Sequence, residues 1–304
     1  MKYLVTGANG LLGQKLVKLL LEKEVQVVAT GLGNDRTENA GVNYVYYQMD
    51  ITDLTDIKSV VSKENPEVII NTAAMTNVDQ CESEQQGCLA LNVEAVRHLV
   101  EVCEARDIFL VHLSTDFIFD GEDGPYDENA EANPISFYGQ SKLDGEKVLI
   151  DSEVKWAILR TVLVYGIVPN MSRSNIILWV KSSLENNKNI KVVTDQWRTP
   201  TLAEDLAMGC YLVASKGASG IFNISGKNML TPYDMAIKTA DYFKLDKSYI
   251  AEADSTTFSQ PAKRPPKTGF VIDKAVNQLG YAPRSFDEGI AIVDEQAKAL
   301  ETAN

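Results

Sequence analysis

Histidine is scarce in this chain of 304 residues: there are two, His98 and His112, beside four cysteines, Cys81, Cys88, Cys103 and Cys210. No C-x-x-C pair occurs, so neither a zinc centre nor a disulfide framework is expected in a chain this long. Cys88 and Cys103 fall in helix-like patterns, where a buried free thiol is the ordinary outcome. Cations are short as well. Lys and Arg number 29 against 42 Asp and Glu, giving a formal charge of -13. No surplus of positive charge is left to neutralise a nucleic-acid backbone, so nucleic acid is not an expected partner. A phosphate-bearing small molecule, which needs only a few local donors, stays open. Long apolar runs are missing too: none approaches the roughly 18 uncharged apolar residues of a membrane span. The N-terminus runs from Lys2 into Tyr3-Leu4-Val5 and a glycine turn, unlike the charged, apolar and small-residue succession of a signal peptide. A cytoplasmic protein with an acidic, solubilising surface is expected.

What is present suits a large core, with 45% apolar and 23% charged residues. From residue 2 to about 160, short runs rich in Val, Ile and Tyr alternate with longer amphipathic ones. Strands are predicted at 2–6, 25–30, 43–47, 67–71, 108–113 and 155–160, and helices at 11–23, 54–64, 85–106 and 139–150. The helix at 54 has a cap candidate in Asp53 or Thr55. Such alternation predicts right-handed βαβ units and a doubly wound α/β fold, a parallel Rossmann sheet covered on both faces. After residue 170 the pattern loosens. Helices are predicted at 173–187, 202–215, 231–244 and 286–301, with strands at 190–193 and 220–224. Residues 1–165 read as a dinucleotide-binding domain. Residues 166–304 read as a smaller α/β substrate lobe that contributes segments back to it. The Pro- and Lys-rich stretch 260–267 could be an ordered loop or a mobile linker.

Thr6-Gly7-Ala8-Asn9-Gly10-Leu11-Leu12-Gly13 follows the first strand and opens the first helix. Gly7 permits a tight turn, Gly10 lets the backbone approach a pyrophosphate, and Gly13 lets helix pack on strand. The N–H groups of the helix start, at Leu11 and Leu12, then face the anion. Glycine spacing alone is weak, but this context makes it strong. The second strand ends Ala29-Thr30-Gly31 without the carboxylate that usually holds the ribose of NAD. Arg36 in the next loop could pair with a 2′-phosphate. NADP is favoured, and NAD stays open because Asp35 adjoins Arg36.

Phe137-Tyr138-Gly139-Gln140-Ser141-Lys142 places Tyr and Lys four residues apart at a helix start, on one face. A free phenol, with pKa about 10, is a poor acid at neutral pH unless its anion is stabilised. An ammonium one turn away stabilises it, so the pair can protonate a carbonyl oxygen as hydride reaches its carbon.

The GxxGxxG spacing with this Tyr and Lys resembles the extended short-chain dehydrogenase/reductases. The resemblance implies that Asp50 and Ile51, after the third strand, hold the adenine. It also implies that the small residues of Asn71-Thr72-Ala73-Ala74, with Met75 beyond them, let the cofactor lie on the sheet edge. Thr115 of Ser114-Thr115-Asp116 matches the hydroxyl that orients the substrate carbonyl, with Ser114 as the fallback. Asn92 sits where the superfamily often keeps an Asn that organises a relay water.

Further segments are similar to the dTDP-4-dehydrorhamnose reductase family in particular. They are Ser114-Thr115-Asp116-Phe117-Ile118-Phe119-Asp120-Gly121, Pro125-Tyr126-Asp127-Glu128, Tyr138 to Glu146, Arg198-Thr199-Pro200-Thr201, and Arg264-Pro265. This resemblance covers essentially the whole chain. It implies reduction of the 4-keto group of a dTDP-sugar, with proton from Tyr138 and hydride from the nicotinamide. Arg198 and Arg264 become candidates for the diphosphate or sugar. It allows a homodimer, since some relatives use a divalent ion at a dimer contact, but no metal ligands can be placed. Two positions depart from the rhamnose-forming pattern: Leu163 replaces a Trp, and Met75 an aromatic residue or His. Two alternatives remain. One is a sugar-nucleotide epimerase or dehydratase, weakened because Phe117 follows Asp116 where dehydratases carry a second acid. The other is a binding role like that of the regulatory subunit of methionine adenosyltransferase.

Overall fold

Residues that branch at Cβ pack well on a pleated surface, and when both faces are covered their runs need not alternate with polar ones. The short Val- and Ile-rich runs accordingly form β1 (Lys2–Thr6), β2 (Gln26–Gly31), β3 (Tyr44–Gln48), β4 (Val68–Asn71), β5 (Phe109–Thr115) and β6 (Trp156–Thr161). Between them lie α1 (Leu11–Glu22), α2 (Leu54–Glu64), α3 (Val78–Ser83), α4 (Gln85–Leu89), α5 (Ala95–Glu104) and α6 (Phe137–Ile150). The computed structural model from which these are drawn describes residues 1–37, 41–169, 171 and 174–303. Beyond β6 come β7 (Val164–Tyr165), α7 (Ile176–Glu185), β8 (Ile190–Val193), β9 (Thr201–Leu202), α8 (Ala203–Lys216), β10 (Gly220–Asn223), α9 (Pro232–Phe243), β11 (Ile250–Ala253) and α10 (Phe286–Ala303).

Seven strands form one parallel sheet in the order β10-β6-β5-β4-β1-β2-β3. The fold is the predicted doubly wound one. Tyr3 and Val5 point to the face covered by α1 and α8, with Leu16, Leu20, Leu206 and Val213. Leu4 points to the other face, with Ile57, Val61, Leu99 and Cys103 of α2 and α5. The order of strand addition reverses between β1 and β4, with β2 and β3 on one side and β4 to β6 on the other, where a doubly wound sheet opens a crevice at its carboxyl edge. The turn after β1, the run after β4 and the end of β5 all meet there. β10 and α8 arrive from beyond residue 165, β10 pairing with β6 while α8 packs on the α1 side.

Of the two cap candidates, Asp53 caps α2, its carboxylate accepting from the N–H groups of Thr55 and Asp56. The stretch 85–106 is not one helix, as expected, but α4, a π-helical turn at Ala90–Glu94, and α5. The wide turn aims Asn92 inward while Val96, Leu99 and Cys103 keep the apolar face. Residue 173, the expected start of another helix, lies outside the described residues; Asn175 caps α7, accepting from the Leu178 N–H at 3.0 Å. The strand β11, parallel to β8, was not foreseen, for Ala251 and Glu252 carry no strand signal. The stretch 260–267 is an ordered loop, pinned by Trp197 N–H to Pro266 O (2.7 Å) and Lys267 N–H to Gly121 O (3.2 Å). Among the described residues no helix is long and apolar enough to cross a membrane.

Candidate active site

Ser136 caps α6 by accepting from the Gly139 N–H at 3.2 Å, which starts the helix at Phe137 and puts Tyr138 in its first turn. Lys142 follows one turn later. Both side chains are buried, at 8% and 2% exposure. Gly139 lets the exit of β5 press against this helix, since a Cβ there would meet the Phe117 carbonyl oxygen at 2.1 Å. The close approach brings Thr115 near the Tyr138 phenol, while the Thr115 hydroxyl donates to Asp116 Oδ1 at 3.1 Å and accepts from the Phe117 N–H at 3.3 Å. Thr115, Tyr138 and Lys142, singled out in the sequence, are therefore assembled in one place. The Ser114 hydroxyl is buried without a partner among the described residues.

Burial pushes the Tyr138 phenol well above its ordinary value; the Thr115 contact opposes this and Asp116 adds to it. Burial also brings Lys142 down to about 8, against the pull of Glu146 and Cys88. The Lys142 ammonium has a partner that sequence reading missed: His112 Nε2, 3.2 Å from Nζ. His112 Nδ1 lies 3.1 Å from the Asn71 amide, which in turn accepts from the Thr6 hydroxyl at 2.6 Å. Burial, then the charge of Lys142, hold this imidazole neutral, far below its usual range. A polar residue inside an otherwise apolar central strand was the available signal.

Asn92 does not stand free to organise water. Its Oδ1 accepts from Met75 N–H (2.9 Å), and Nδ2 donates to Met75 O (3.0 Å) and Ser141 Oγ (3.0 Å). It clamps the run after β4 onto α6, beside Cys81, Cys88 and Tyr138. A π-turn at such a place commonly marks a functional site.

On the other side of the crevice, Gly7 has φ 64, and a Cβ there would meet the Ala73 backbone at 2.9 Å. Only glycine lets these two segments, and Ala74 after them, close on each other. A Cβ on Gly13 would meet the Gly7 carbonyl oxygen at 2.3 Å, so α1 starts directly under the turn. Gly10 leaves α1 without a side-chain cap, and no acid sits in its first turn. Among the described residues nothing caps the first N–H groups, at Leu11 and Leu12, which suits an anion. Asp50 and the buried Ile51 follow β3 on the same edge, one Asp50 oxygen accepting from Thr52. Arg36 is exposed and makes no ion pair among the described residues. This cradle fits a dinucleotide.

The two arginine candidates part company. Arg198 is buried and donates to the carbonyls of Trp197, Pro265 and Pro266, its Nε 3.8 Å from Asp116. Asp116 also accepts from Thr268, so Arg198 locks the lobe to the end of β5. Arg264 pairs with Asp79 of α3 at 2.8 Å and borders a cleft of about 470 Å³. Asn175, Trp179, Lys191 and Phe258 also line that cleft, and none of them was singled out in the sequence. A second hollow, about 720 Å³, is lined by Asp120, Asp123, Asp127 and Glu131, which suits no anionic ligand.

The family model described as RmlD substrate binding domain matches residues 1–298. The chain belongs to this family, that of the dTDP-4-dehydrorhamnose reductases. It is 34% identical over 284 residues to a dTDP-4-keto-6-deoxy-D-glucose reductase of Streptomyces niveus, covering 93% of this chain and 92% of that one. It is 31% identical over 296 residues to methionine adenosyltransferase 2 subunit beta of Mus musculus, covering 95% and 86%. Among solved structures it is similar to a dTDP-4-dehydrorhamnose reductase of Clostridium acetobutylicum (TM-score 0.86, 28% identity, 98% and 100% covered). It is also similar to that of Bacillus anthracis in complex with NADP (TM-score 0.84, 25% identity, 97% and 99% covered).

Within this RmlD-type chain the departing positions have definite surroundings. Leu163 is 46% exposed and adopts φ 37, a left-handed conformation costly for a γ-branched side chain. Its carbonyl accepts from Thr201 N–H at 3.2 Å, so β9 holds the backbone while the side chain stays outside the core. Met75 packs beside Tyr138 and Cys81.

Proposed function

We propose that this protein is an NADPH-dependent reductase of a 4-keto nucleotide sugar, of the dTDP-4-dehydrorhamnose reductase type, with NAD as the lesser cofactor. The observation that carries the reading is the burial of Tyr138 and Lys142 one turn apart on α6, at the sheet edge where β5 ends in Thr115 and Gly7 closes on Ala73. Gly7, Gly10, Leu11, Leu12 and Gly13 would hold the pyrophosphate. Asp50 and Ile51 would hold the adenine, Arg36 the 2′-phosphate, and Ala73, Ala74 and Met75 the nicotinamide side. When bound, the cofactor supplies the hydride for the C4 carbon.

The chain's own part is the proton. Thr115 donates to the C4 carbonyl oxygen and aims it at Tyr138, and Ser114 stands behind it. The phenol passes its proton to that oxygen as the C=O bond becomes a C–OH bond. The tyrosinate left behind is stabilised by the Lys142 ammonium, and Tyr138 regains a proton before the next turnover. Because Tyr138 and Lys142 are buried, little water competes for that charge. Residues 1–165 would form the cofactor domain and 166–304 the substrate lobe. The nucleotide is placed in the cleft between Trp179 and Phe258, with Arg264 at its rim toward the diphosphate and Leu163 toward the sugar. Arg198 serves this site by holding Asp116. A cytoplasmic homodimer is the matching cellular form.

Similarity to methionine adenosyltransferase 2 subunit beta supports a second reading, a cofactor-binding regulatory protein. The test is absorbance at the reduced nicotinamide band with NADPH and a panel of 4-keto sugar nucleotides. Oxidation with one of them supports the reductase. Tight NADPH binding without oxidation by any of them favours the regulatory reading.

A further inference from the structure

The loop after β2 is shaped by one side chain of the glycine turn. Asn9 Nδ2 faces the carbonyl oxygens of Leu32 (3.1 Å) and Asn34 (3.0 Å) and the hydroxyl of Tyr46 (2.8 Å). Its Oδ1 accepts from the Arg36 N–H at 2.9 Å. The Tyr46 hydroxyl donates onward to Gly33 O at 2.9 Å. Leu32, Gly33, Asn34 and Arg36 are thus gathered on Asn9 and on the tyrosine it holds. Among the described residues no strand pairing supports this loop, and its residues are largely exposed, so without these bonds its backbone has little to keep it in one form.

The charges of the loop are sorted at the same time. The Asp35 carboxylate accepts from Thr37 N–H (2.8 Å) and from the Tyr44 hydroxyl (2.6 Å), which turns it toward β3. Burial works to raise this carboxyl, but the bonds from Tyr44 and Thr37 outweigh it, and it stays ionised. Its charge is therefore occupied, whereas the exposed Arg36 guanidinium makes no ion pair among the described residues. An Arg–phosphate contact gains from a prearranged fork, and a loop that must be ordered first loses part of that gain.

We infer that Asn9, with Tyr46, is a specificity-determining positioning residue: from the pyrophosphate turn it fixes the 32–36 loop so that Arg36 meets the 2′-phosphate of the cofactor. The inference rests on the NADP reading above. It links two parts of the cradle that are distant in sequence: the turn common to NAD and NADP, and the loop that tells them apart.

The test is titration of nicotinamide fluorescence with NADPH and, separately, NADH. Wild type is measured first; equal affinity for the two overturns the NADP reading, and this inference with it. Where wild type prefers NADPH, Asn9→Ala is expected to raise the Kd for NADPH about tenfold while that for NADH moves less than about twofold. Tyr46→Phe keeps the ring and the fold and should shift the NADPH Kd in the same selective way, by about threefold. An equal rise for both cofactors, or no change for either, in a variant that melts like wild type overturns the assignment to Asn9.

Discussion

His112 Nε2 lies 3.2 Å from the Nζ of Lys142, a neutral imidazole set against a buried ammonium. Behind it, Asn71 and Thr6 extend the contact across β4 to β1. Lys142 is thereby attached to the centre of the sheet and not only to its own helix.

This contact has a stability consequence with a defined sign. His112 is neutral in the folded protein and its pKa lies well below 6.5, while the unfolded chain takes up the proton near 6.5. The unfolded state therefore binds more protons as pH falls below 6.5, and stability drops there. Melting temperatures measured from pH 7.5 to 5 should fall more steeply in wild type than in His112→Asn. Parallel slopes would remove His112 as the cause.

Lys142 works in the opposite window. Burial brings its pKa from 10.5 to about 8, so between those values the unfolded state holds the extra proton and stability rises with pH. Activity moves the other way, because the tyrosinate loses its supporting charge. kcat/KM is expected to decline above about pH 8, with the midpoint set by Lys142. In Glu146→Gln, which removes a charge that raises this pKa, the decline should begin at lower pH.

Tyr138→Phe keeps the ring packed by Phe117 and removes only the proton donor. Turnover should fall about 100-fold to 10000-fold, the usual worth of general acid catalysis, with cofactor affinity nearly unchanged. Steady-state kinetics beside a fluorescence titration separates the two. Unchanged turnover would refute Tyr138 as the acid.

Arg160 donates to both oxygens of Glu146, at 3.0 and 2.7 Å, and both side chains are buried. Glu146→Ala strands a buried guanidinium and should cost about 3–5 kcal/mol. Adding Arg160→Met should recover much of that loss in denaturant unfolding. A double variant as unstable as the single one would show that the pair is not what Glu146 supplies.

Phe258→Ala tests the nucleotide cleft. Loss of a stacking ring costs about 1–3 kcal/mol per base, so KM for the nucleotide sugar should rise at least about fivefold with little change in kcat. An equal effect on a sugar substrate lacking the base would place the nucleotide elsewhere.

The strands of the parallel sheet, the main helices and the Tyr138–Lys142 pair were legible in the sequence, because strand and helix periods and a glycine turn are local signals. Thr115 was reached through the resemblance of Ser114-Thr115-Asp116 to a family run, with Ser114 as the fallback. Tertiary structure alone decided what those residues touch. The π-turn at Ala90–Glu94 exists because Asn92 must reach Met75 and Ser141, partners remote in sequence. The partners of His112, Lys142 and Asn71, come to it from α6 and β4, which only folding lays beside β5. Arg198 and Arg264 read alike as cations, yet one is committed to buried carbonyls and the other borders a cleft. A side chain's type and neighbours in sequence limit its chemistry, but burial and partners come from segments the chain brings together only on folding.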